Sequence, residues 1–366
     1  MAVALGKKIL IVDFNGTAPL YSHYFNNGFI ESGCQSKIMG KRRVEYFLSP
    51  PKEDLYIGFN TGVKFLDYII NWVVLLKNAN KYDVIVVQWL QSLKISIAEV
   101  HLYNILQKLN KKTYYLVHNV YPHNSINSKV RERYDKLYFY AKNLLVHSSD
   151  VKKMLHARHG VNKNIVMIEH GYFYHDIKKV EGKNGGFSSK VLITGHISPY
   201  KGIEDAVKAI SILKKRGRYF ELIVRGKGNL DYVAELKEKI KNYGVSDRVQ
   251  LECSFIQTKD LIELYQNACC SVLPYKKIQQ SGVVFSSLGL NVPVICYDVG
   301  AFSVVIKEGK NGRLVEPDNV DKLADAILWA FENQERLKKD ILETNKVDFW
   351  SNSAKQILTN SNNLGF

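Results

Sequence analysis

The sequence predicts an α/β protein made of two doubly wound domains, each with helices packed on a parallel sheet. Its 366 residues exceed the usual size of one hydrophobic core. Short runs rich in β-branched residues alternate with longer amphipathic stretches along most of the chain. That alternation is typical of β-α-β units around a parallel sheet. One polar, glycine-rich stretch near the middle separates the two series.

The first half of the chain carries the first series. The short apolar runs that predict strands are residues 9–12, 83–87, 114–117, 143–148 and 164–168. The amphipathic stretches that predict helices are residues 21–30 and 95–109. We therefore assign residues 1–180 to a Rossmann-like N-terminal domain, and we expect the tail, residues 350–366, to pack back on it.

A linker and a second series follow. Residues 178–190 are Lys-Lys-Val-Glu-Gly-Lys-Asn-Gly-Gly-Phe-Ser-Ser-Lys, a composition typical of a linker. After it, strands are predicted at residues 191–194, 220–224, 249–251, 270–273 and 294–296, and helices at 203–215, 232–243 and 259–267. Residues 185–349 are thus a second Rossmann-like domain. We expect the domains to face each other across a cleft, with ligands at the carboxyl ends of the strands.

Composition narrows the classes of partner. The net charge of +16 attracts anions such as phosphates, nucleic acid or acidic lipid headgroups. Basic runs at residues 40–43, 111–112 and 214–218 are scattered, so each is either solvated surface or a membrane-facing patch. Nucleic-acid binding is disfavoured, because the sequence shows no recognisable module or concentrated basic helix.

Cysteines and apolar runs indicate the compartment. The five cysteines have neither a paired framework nor metal-ligand spacing, which favours reduced thiols in the cytosol. The apolar run at residues 9–12 is too short for a signal peptide, and the run at residues 68–76 is too short for a membrane span. We expect a cytoplasmic protein whose contact with membrane, if any, is peripheral.

The segment after residue 191 has the pattern of an anion-binding turn. A predicted strand ends at Gly195, and a predicted helix begins near Gly202, directly after Lys201. A helix N-terminus and a cation at one place suit a diphosphate. The alternative from spacing alone is an ordinary strand-to-helix turn with a surface lysine.

Two later turns have similar chemistry. Residues 225–228, Arg-Gly-Lys-Gly, place glycines between cations at a strand end, which permits close approach of a phosphate or nucleoside. Residues 278–285 lead through Ser281 and Gly282 into a helix whose free amides could cap an anion.

These turns resemble those of glycosyltransferase family 4. The matching segments are residues 195–202, 225–228, 291–300 and 310–317 in the second half, and 13–17, 116–124, 146–149 and 169–172 in the first. The resemblance implies the GT-B fold and a retaining, metal-independent hexosyltransferase. It also implies a nucleotide-sugar donor and no cofactor. A UDP-sugar is favoured over a GDP-sugar on frequency alone.

The resemblance also implies roles for particular residues. The catalytic residues would be His118 and Lys201. A lone histidine after a strand is usually structural. The matched family context favours a functional role for His118, but not for His123, His147 or His170. Donor contacts would come from Gly16, Gly195, His196, Lys201, Arg225, Gly226, Lys227, Ile256, Gln280, Ser281, Gly282 and Val283. Acceptor contacts would come from Asn15, Thr17, Tyr21 and Asn119.

Two positions depart from the family pattern. His196 stands where the family usually has arginine, so a titratable contact replaces a permanent bidentate one. The family's pair of donor-loop glutamates is missing, and Ile278 with Ser286 or Ser287 stands near those places. The identity of the donor is therefore open.

Residues of the N-terminal half predict the kind of acceptor. Aromatic and basic residues near the first predicted helix are Tyr21, Tyr24, Phe25, Lys37, Lys41, Arg42 and Arg43. Such a surface favours an anionic membrane at the inner face of the plasma membrane and a lipid-linked or cell-surface glycan acceptor, as in polysaccharide, lipopolysaccharide or capsule biosynthesis. A basic soluble enzyme acting on a small molecule is the alternative.

The same fold also occurs with other functions. A non-catalytic GT-B-like subunit fits the missing glutamates, and a GT-B epimerase or phosphorylase shares the fold but needs other residues. A dinucleotide oxidoreductase is excluded, since residues 13–16 lack the Gly-x-Gly-x-x-Gly fingerprint.

Overall fold

The computed structural model describes residues 6–121, 127–160, 163–177, 187–278 and 281–364. The chain divides into two compact units. Unit 1 comprises Met1–Gly171 and Asp348–Phe366, and unit 2 comprises Tyr172–Val347. Each unit is built on a parallel sheet with helices, which confirms the predicted α/β fold class.

The described part of unit 1 contains a seven-stranded parallel sheet in the order β3-β2-β1-β4-β5-β6-β7. Its strands are β1 Lys8–Asp13, β2 Gln35–Gly40, β3 Tyr56–Ile57, β4 Val84–Val87, β5 Thr113–Leu116, β6 Asn143–Val146 and β7 Asn164–Met167. All five apolar runs predicted as strands form strands. The order reverses between β1 and β4, and the carboxyl ends of strands at such a reversal commonly line a ligand site.

The helices that follow these strands are α1 Pro19–Glu31, α2 Lys64–Asn78, α3 Ala98–Leu109, α4 Ser128–Tyr140 and α5 Ser149–His159. Helix α3 starts three residues later than predicted. The amides of Ile95 and Ser96 both donate to the carbonyl of Ser92, which closes a separate turn before the helix. No helix within the described ranges is both long and apolar enough to cross a membrane.

Unit 2, over its described residues, contains a six-stranded parallel sheet in the order β10-β9-β8-β11-β12-β13. Its strands are β8 Lys190–Thr194, β9 Glu221–Arg225, β10 Val249–Glu252, β11 Cys270–Leu273, β12 Val294–Tyr297 and β13 Gly312–Val315. Its helices are α6 Ile203–Lys215, α7 Leu230–Asn242, α8 Thr258–Gln266, α9 Gly282–Gly289, α10 Phe302–Val305, α11 Val320–Glu332 and α12 Gln334–Asn345. Here the order reverses between β8 and β11.

The last helix, α13 Phe349–Asn363, belongs to unit 1 and packs on α1. A Cβ at Gly28 of α1 would lie 2.5 Å from the backbone of Trp350, so only glycine permits this approach. Trp350, Ile357 and Leu358 are buried. The chain therefore passes through unit 2 and returns to unit 1 with its last helix.

Replacing Ile357 by alanine should destabilise unit 1 by about 2–5 kcal/mol, because the truncation leaves a cavity in a buried contact. Denaturant unfolding followed by tryptophan fluorescence measures this. Lys355→Ala, on the exposed side of α13, is the matched control and should stay within about 0.5 kcal/mol of the parent. If Ile357→Ala lowers the free energy of unfolding no more than Lys355→Ala does, α13 does not contribute to the core.

Candidate functional site

The carboxyl end of β8 in unit 2 brings two segments that are distant in sequence together, the turn at residues 195–201 and the start of α9. Gly195 follows β8 with φ +88°, and a Cβ built on it would lie 3.0 Å from Lys201 Nζ and 3.5 Å from Val283 Cγ2. Val283 belongs to the first turn of α9. The turn after β8, the ammonium group of Lys201 and the N-terminus of α9 therefore meet at one place.

Lys201 is a buried cation, with 4% of its surface exposed. Its Nζ donates to the carbonyl of Thr194 at 3.0 Å and lies 5.2 Å from the ring centroid of Tyr275. Burial lowers the pKa of the Lys201 ammonium to about 8. Within the described residues it has no ion pair with a carboxylate. A buried charge is costly without a counter-charge, so an anion bound here would relieve that cost.

The N-terminus of α9 offers amides to the same place. Ser281, at the N-cap, is buried, and its side chain makes no capping hydrogen bond to the helix. The amide of Val284 donates to the carbonyl of Ser281 at 3.3 Å. The helix supplies no intrahelical partners for the amides of Gly282 and Val283, which favour a bound anion. Gln280, predicted as a donor contact, lies outside the described residues.

The second predicted turn has a clear packing role. A Cβ at Gly226 would lie 1.9 Å from the carbonyl oxygen of Gly195, and one at Gly228 would lie 2.6 Å from that of Ile197. The turns after β8 and β9 thus run side by side, which requires glycine at both positions. Lys227 is exposed, with its Nζ 5.2 Å from the ring of Phe255.

Three other residues predicted to contact the donor, Arg225, His196 and Ile256, have different surroundings. Arg225 Nη2 pairs with Glu252 Oε2 at 2.5 Å, across β9 and β10, and this bond lowers the pKa of Glu252. His196 is exposed, and Ile256 is partly buried. The structure thus groups Gly195, Lys201 and the start of α9, and it directs Arg225 to a neighbouring carboxylate.

In unit 1, the loop after β1 is organised by Asp13, a residue to which the sequence analysis gave no role. Its buried carboxylate accepts from the amides of Thr17 and Ala18 at 2.8 and 3.0 Å and from Ser22 Oγ at 3.1 Å. Burial raises the pKa of Asp13, and these hydrogen bonds oppose the rise. The carboxylate therefore fixes the turn into α1.

Gly16, predicted to admit a diphosphate, is explained by its neighbours. It has φ +60°, and a Cβ on it would lie 2.7 Å from the carbonyl oxygen of Lys41 and 2.8 Å from Arg43 Cγ. The chain leaving β2 passes over this glycine. Asn15 and Thr17, on either side, are exposed.

Histidines follow three neighbouring strands of unit 1, and they surround Tyr21. The rings of His118, His147 and His170 have centroids 4.9, 5.6 and 5.1 Å from the Tyr21 ring. Tyr21 Oη lies 3.0 Å from His147 Nε2, and His147 Nδ1 lies 3.2 Å from the carbonyl oxygen of Ile168. Since a carbonyl only accepts, Nδ1 of His147 carries the proton, and Tyr21 donates to Nε2.

This cluster was only partly predicted. From the sequence, a catalytic role is expected for His118, structural roles for His147 and His170, and an acceptor contact for Tyr21. Tyr21 is buried, and its hydroxyl is bonded to His147. The available signal was that each histidine follows a predicted strand, because neighbouring parallel strands end at one edge of a sheet.

One ring nitrogen of His118 is buried and makes no hydrogen bond within the described residues. Its ring stacks on Trp89 with centroids 4.6 Å apart and planes 4° from parallel. Burial lowers the pKa of His118 to about 3 and that of His147 to about 4, so both are neutral at pH 7. Among the described residues, His118 Nε2 and Asn119 Oδ1 are buried without a hydrogen-bond partner. An ordered water or a ligand can supply the missing partner of such atoms.

Substituting Lys201 by methionine should make stability less dependent on pH. The folded protein loses this proton near pH 8 and the unfolded chain near 10.5, so between those values the unfolded state holds more protons. The parent should therefore gain stability relative to Lys201→Met as pH rises from 8 to 10.5, by up to about 3 kcal/mol. Denaturant unfolding at several pH values measures the difference. Lys227→Met, at an exposed lysine, should show a flat difference; a flat difference for Lys201→Met as well would contradict a buried cation.

The structure resembles solved glycosyltransferases over nearly its whole length. A glycosyltransferase from Rickettsia africae ESF-5 aligns with TM-score 0.68 and 18% identity, covering 98% of this chain and 97% of that one. HepE from Anabaena in complex with UDP-glucose aligns with TM-score 0.65 and 15% identity, covering 97% and 98%. At these identities the likeness establishes the fold.

Sequence comparison adds the family of the second unit. Residues 175–346 match the family model "Glycosyl transferases group 1". Alpha-D-kanosaminyltransferase from Streptomyces kanamyceticus is 26% identical over 137 residues, which are 37% of this chain and 35% of that protein. The chain spans 34–40% of the length of the curated relatives it matches. The chain has the GT-B fold of glycosyltransferases, and its residues 175–346 match the family of group 1 glycosyl transferases.

Proposed function

We propose that this protein is a retaining, metal-independent glycosyltransferase of family 4 that moves a sugar from a nucleoside diphosphate to a glycan acceptor. One observation carries the proposal: the ammonium group of Lys201 is buried where the turn at Gly195 meets the N-terminus of α9. The family match of the surrounding residues supports it.

The donor site of this proposal stabilises the leaving group. When the bond to the sugar breaks, negative charge grows on the diphosphate, and fixed cations and amides lower the barrier most where water is excluded. Lys201 supplies the charge and α9 supplies the amides. UDP is the proposed nucleotide, and the binding of UDP-glucose by the structurally similar HepE supports that choice.

His118 would bind a sugar hydroxyl and would not remove its proton. With its pKa lowered to about 3, the imidazole is too weak a base to abstract a proton at neutral pH. Its unpartnered Nε2 can still accept a hydrogen bond and fix the sugar. The proton of the acceptor hydroxyl would pass to the donor's own phosphate, as the family resemblance implies.

The acceptor would contact the open groups of unit 1. Asn119 Oδ1 is available for a hydrogen bond, and Asn15 and Thr17 are exposed. Tyr21 is buried, so its proposed role becomes that of positioning His147 beside His118. We propose a lipid-linked or cell-surface glycan as acceptor, with the protein held peripherally at the inner face of the plasma membrane; the net charge of +16 supports this.

Lys201→Met should abolish most of the stabilisation that UDP gives to the protein. A ligand at a hundred times its dissociation constant stabilises the fold by about 2.7 kcal/mol, which a thermal-shift assay detects. A panel of UDP, GDP and ADP identifies the base, and Lys237→Met, at an exposed lysine of α7, is the matched control. An unchanged response of Lys201→Met to every nucleotide would remove Lys201 from the donor site.

His118→Asn should lower sugar transfer by about a hundredfold and leave the thermal shift by UDP intact, because it removes a contact to the sugar only. The assay is turnover of the UDP-sugar to which the parent responds. His101→Asn, at an exposed histidine of α3, should transfer at the parental rate. Transfer by His118→Asn within a few-fold of the parent would contradict the role given to His118.

A further inference from the structure

Helix α2 of unit 1 presents apolar side chains to solvent. Phe65 is 75% exposed, and Leu66, Ile69 and Val73 are 43–46% exposed. Their spacing places them on one side of the helix, here called the α2 face. A surface helix normally carries charged residues on its outer side, and contiguous apolar residues there indicate an interaction site.

The remaining circumference of α2 is firmly packed. Trp72 and Leu75 are buried, and the Trp72 ring meets Phe14 edge-on with centroids 5.4 Å apart. Asn71 accepts from the amide of Phe59 at 2.7 Å and donates to its carbonyl at 3.0 Å. Since these contacts fix the rotation of the helix, the α2 face stays outside.

A cationic cavity adjoins the first turn of α2. Its volume is about 590 Å³, and it opens beside the carboxyl end of β1. The charged residues that line it, among those described, are Lys41, Arg42, Arg43, Lys64, Glu45 and Asp67. The two arginines already have partners, because Arg42 pairs with Glu53 and Arg43 with Glu45, each at 2.6 Å. Lys41 and Lys64 are therefore the cations best placed for an external anion.

Charge selects the occupant of the α2 face. Lys64 begins the helix, Lys77 lies in its last turn, and both are exposed. A second copy of this chain, with net charge +16, would be repelled by such a surface. Apolar side chains flanked by lysines suit the boundary between headgroups and acyl chains of an anionic bilayer.

We propose that the α2 face docks on an anionic lipid bilayer, with Phe65 and its neighbours entering the acyl boundary and Lys41 and Lys64 binding lipid phosphates. Docking brings the cavity to the membrane surface, where the phosphate of a lipid-linked sugar can enter it. The docking itself needs no sugar transfer; its use in presenting an acceptor rests on the proposed function.

The apolar contribution is tested by sedimenting the full chain with vesicles of phosphatidylcholine, alone or mixed with phosphatidylglycerol, at physiological salt. The double variant Phe65→Ser with Ile69→Ser should partition to the mixed vesicles at least about tenfold more weakly, because two inserted apolar side chains are lost. Phe139→Ser, at a phenylalanine of α4 that is 67% exposed, is the matched control and should bind like the parent.

The cationic contribution is tested with Lys41→Ala and Lys64→Ala. Each should weaken binding to the mixed vesicles by about fivefold and leave binding to phosphatidylcholine unchanged. Lys237→Ala, at an exposed lysine of α7, should have no effect.

Three outcomes would overturn the proposal. The first is that the parent does not bind mixed vesicles. The second is that the double variant Phe65→Ser with Ile69→Ser loses no more binding than Phe139→Ser. The third is a dimer in sedimentation velocity that the double variant abolishes while its vesicle binding is unchanged. A retained thermal shift by UDP shows that each variant is folded. Vesicle binding as expected, with no nucleotide response in the parent, would leave docking standing and end the proposed function.

Discussion

The buried ammonium group of Lys201 is the interaction on which the second unit's site depends. Removing a charge from water is costly, and the lowered pKa of about 8 expresses that cost. The carbonyl of Thr194 and the ring face of Tyr275 compensate it in part. At pH 7 the group is still mostly protonated, so the cation is fixed in place before any anion binds. The folded protein bears the cost of ordering this charge, and in the proposed function a developing negative charge would gain from it.

Burial has the opposite electrostatic result in the first unit. A lysine starts from a pKa of 10.5 and remains charged after a large decrease, whereas a histidine starts from 6.5 and becomes neutral. His118 and His147 are therefore hydrogen-bonding groups in the accessible pH range. The bond from Tyr21 to His147 and the stacking of Trp89 on His118 fix both rings without any charge. One unit thus holds a buried cation, and the other holds buried neutral imidazoles.

The sequence predicted what is set by local pattern. Helix α6 and strand β11 have the predicted bounds, and the predicted meeting of Gly195 with Lys201 is present, because strand end, turn and helix start lie within a few residues. Strand β2 was not predicted, since buried Ser36 and exposed Lys37 break its apolar run. Helix α2 was read only as an apolar run, because both its sides carry apolar residues. The Arg225–Glu252 pair and the histidine cluster depend on which strands become neighbours, and local periodicity does not encode that.

The departures from the family pattern leave Lys201 and the backbone amides of α9 as the proposed sources of anion affinity. His196 stands where the resemblance implies arginine, and it is exposed; Arg225 is held by Glu252. In the proposed function, the charge of a bound diphosphate would fall on Lys201 and on the amides of α9. That helix is well suited to the task, because its carbonyl at Phe285 accepts from the amide of Phe173 at 3.3 Å, and a Cβ at Gly289 would lie 1.8 Å from the carbonyl oxygen of Phe173. A helix held this closely keeps its amide dipoles aligned at no further entropic cost, whereas a flexible arginine would have to be ordered on binding.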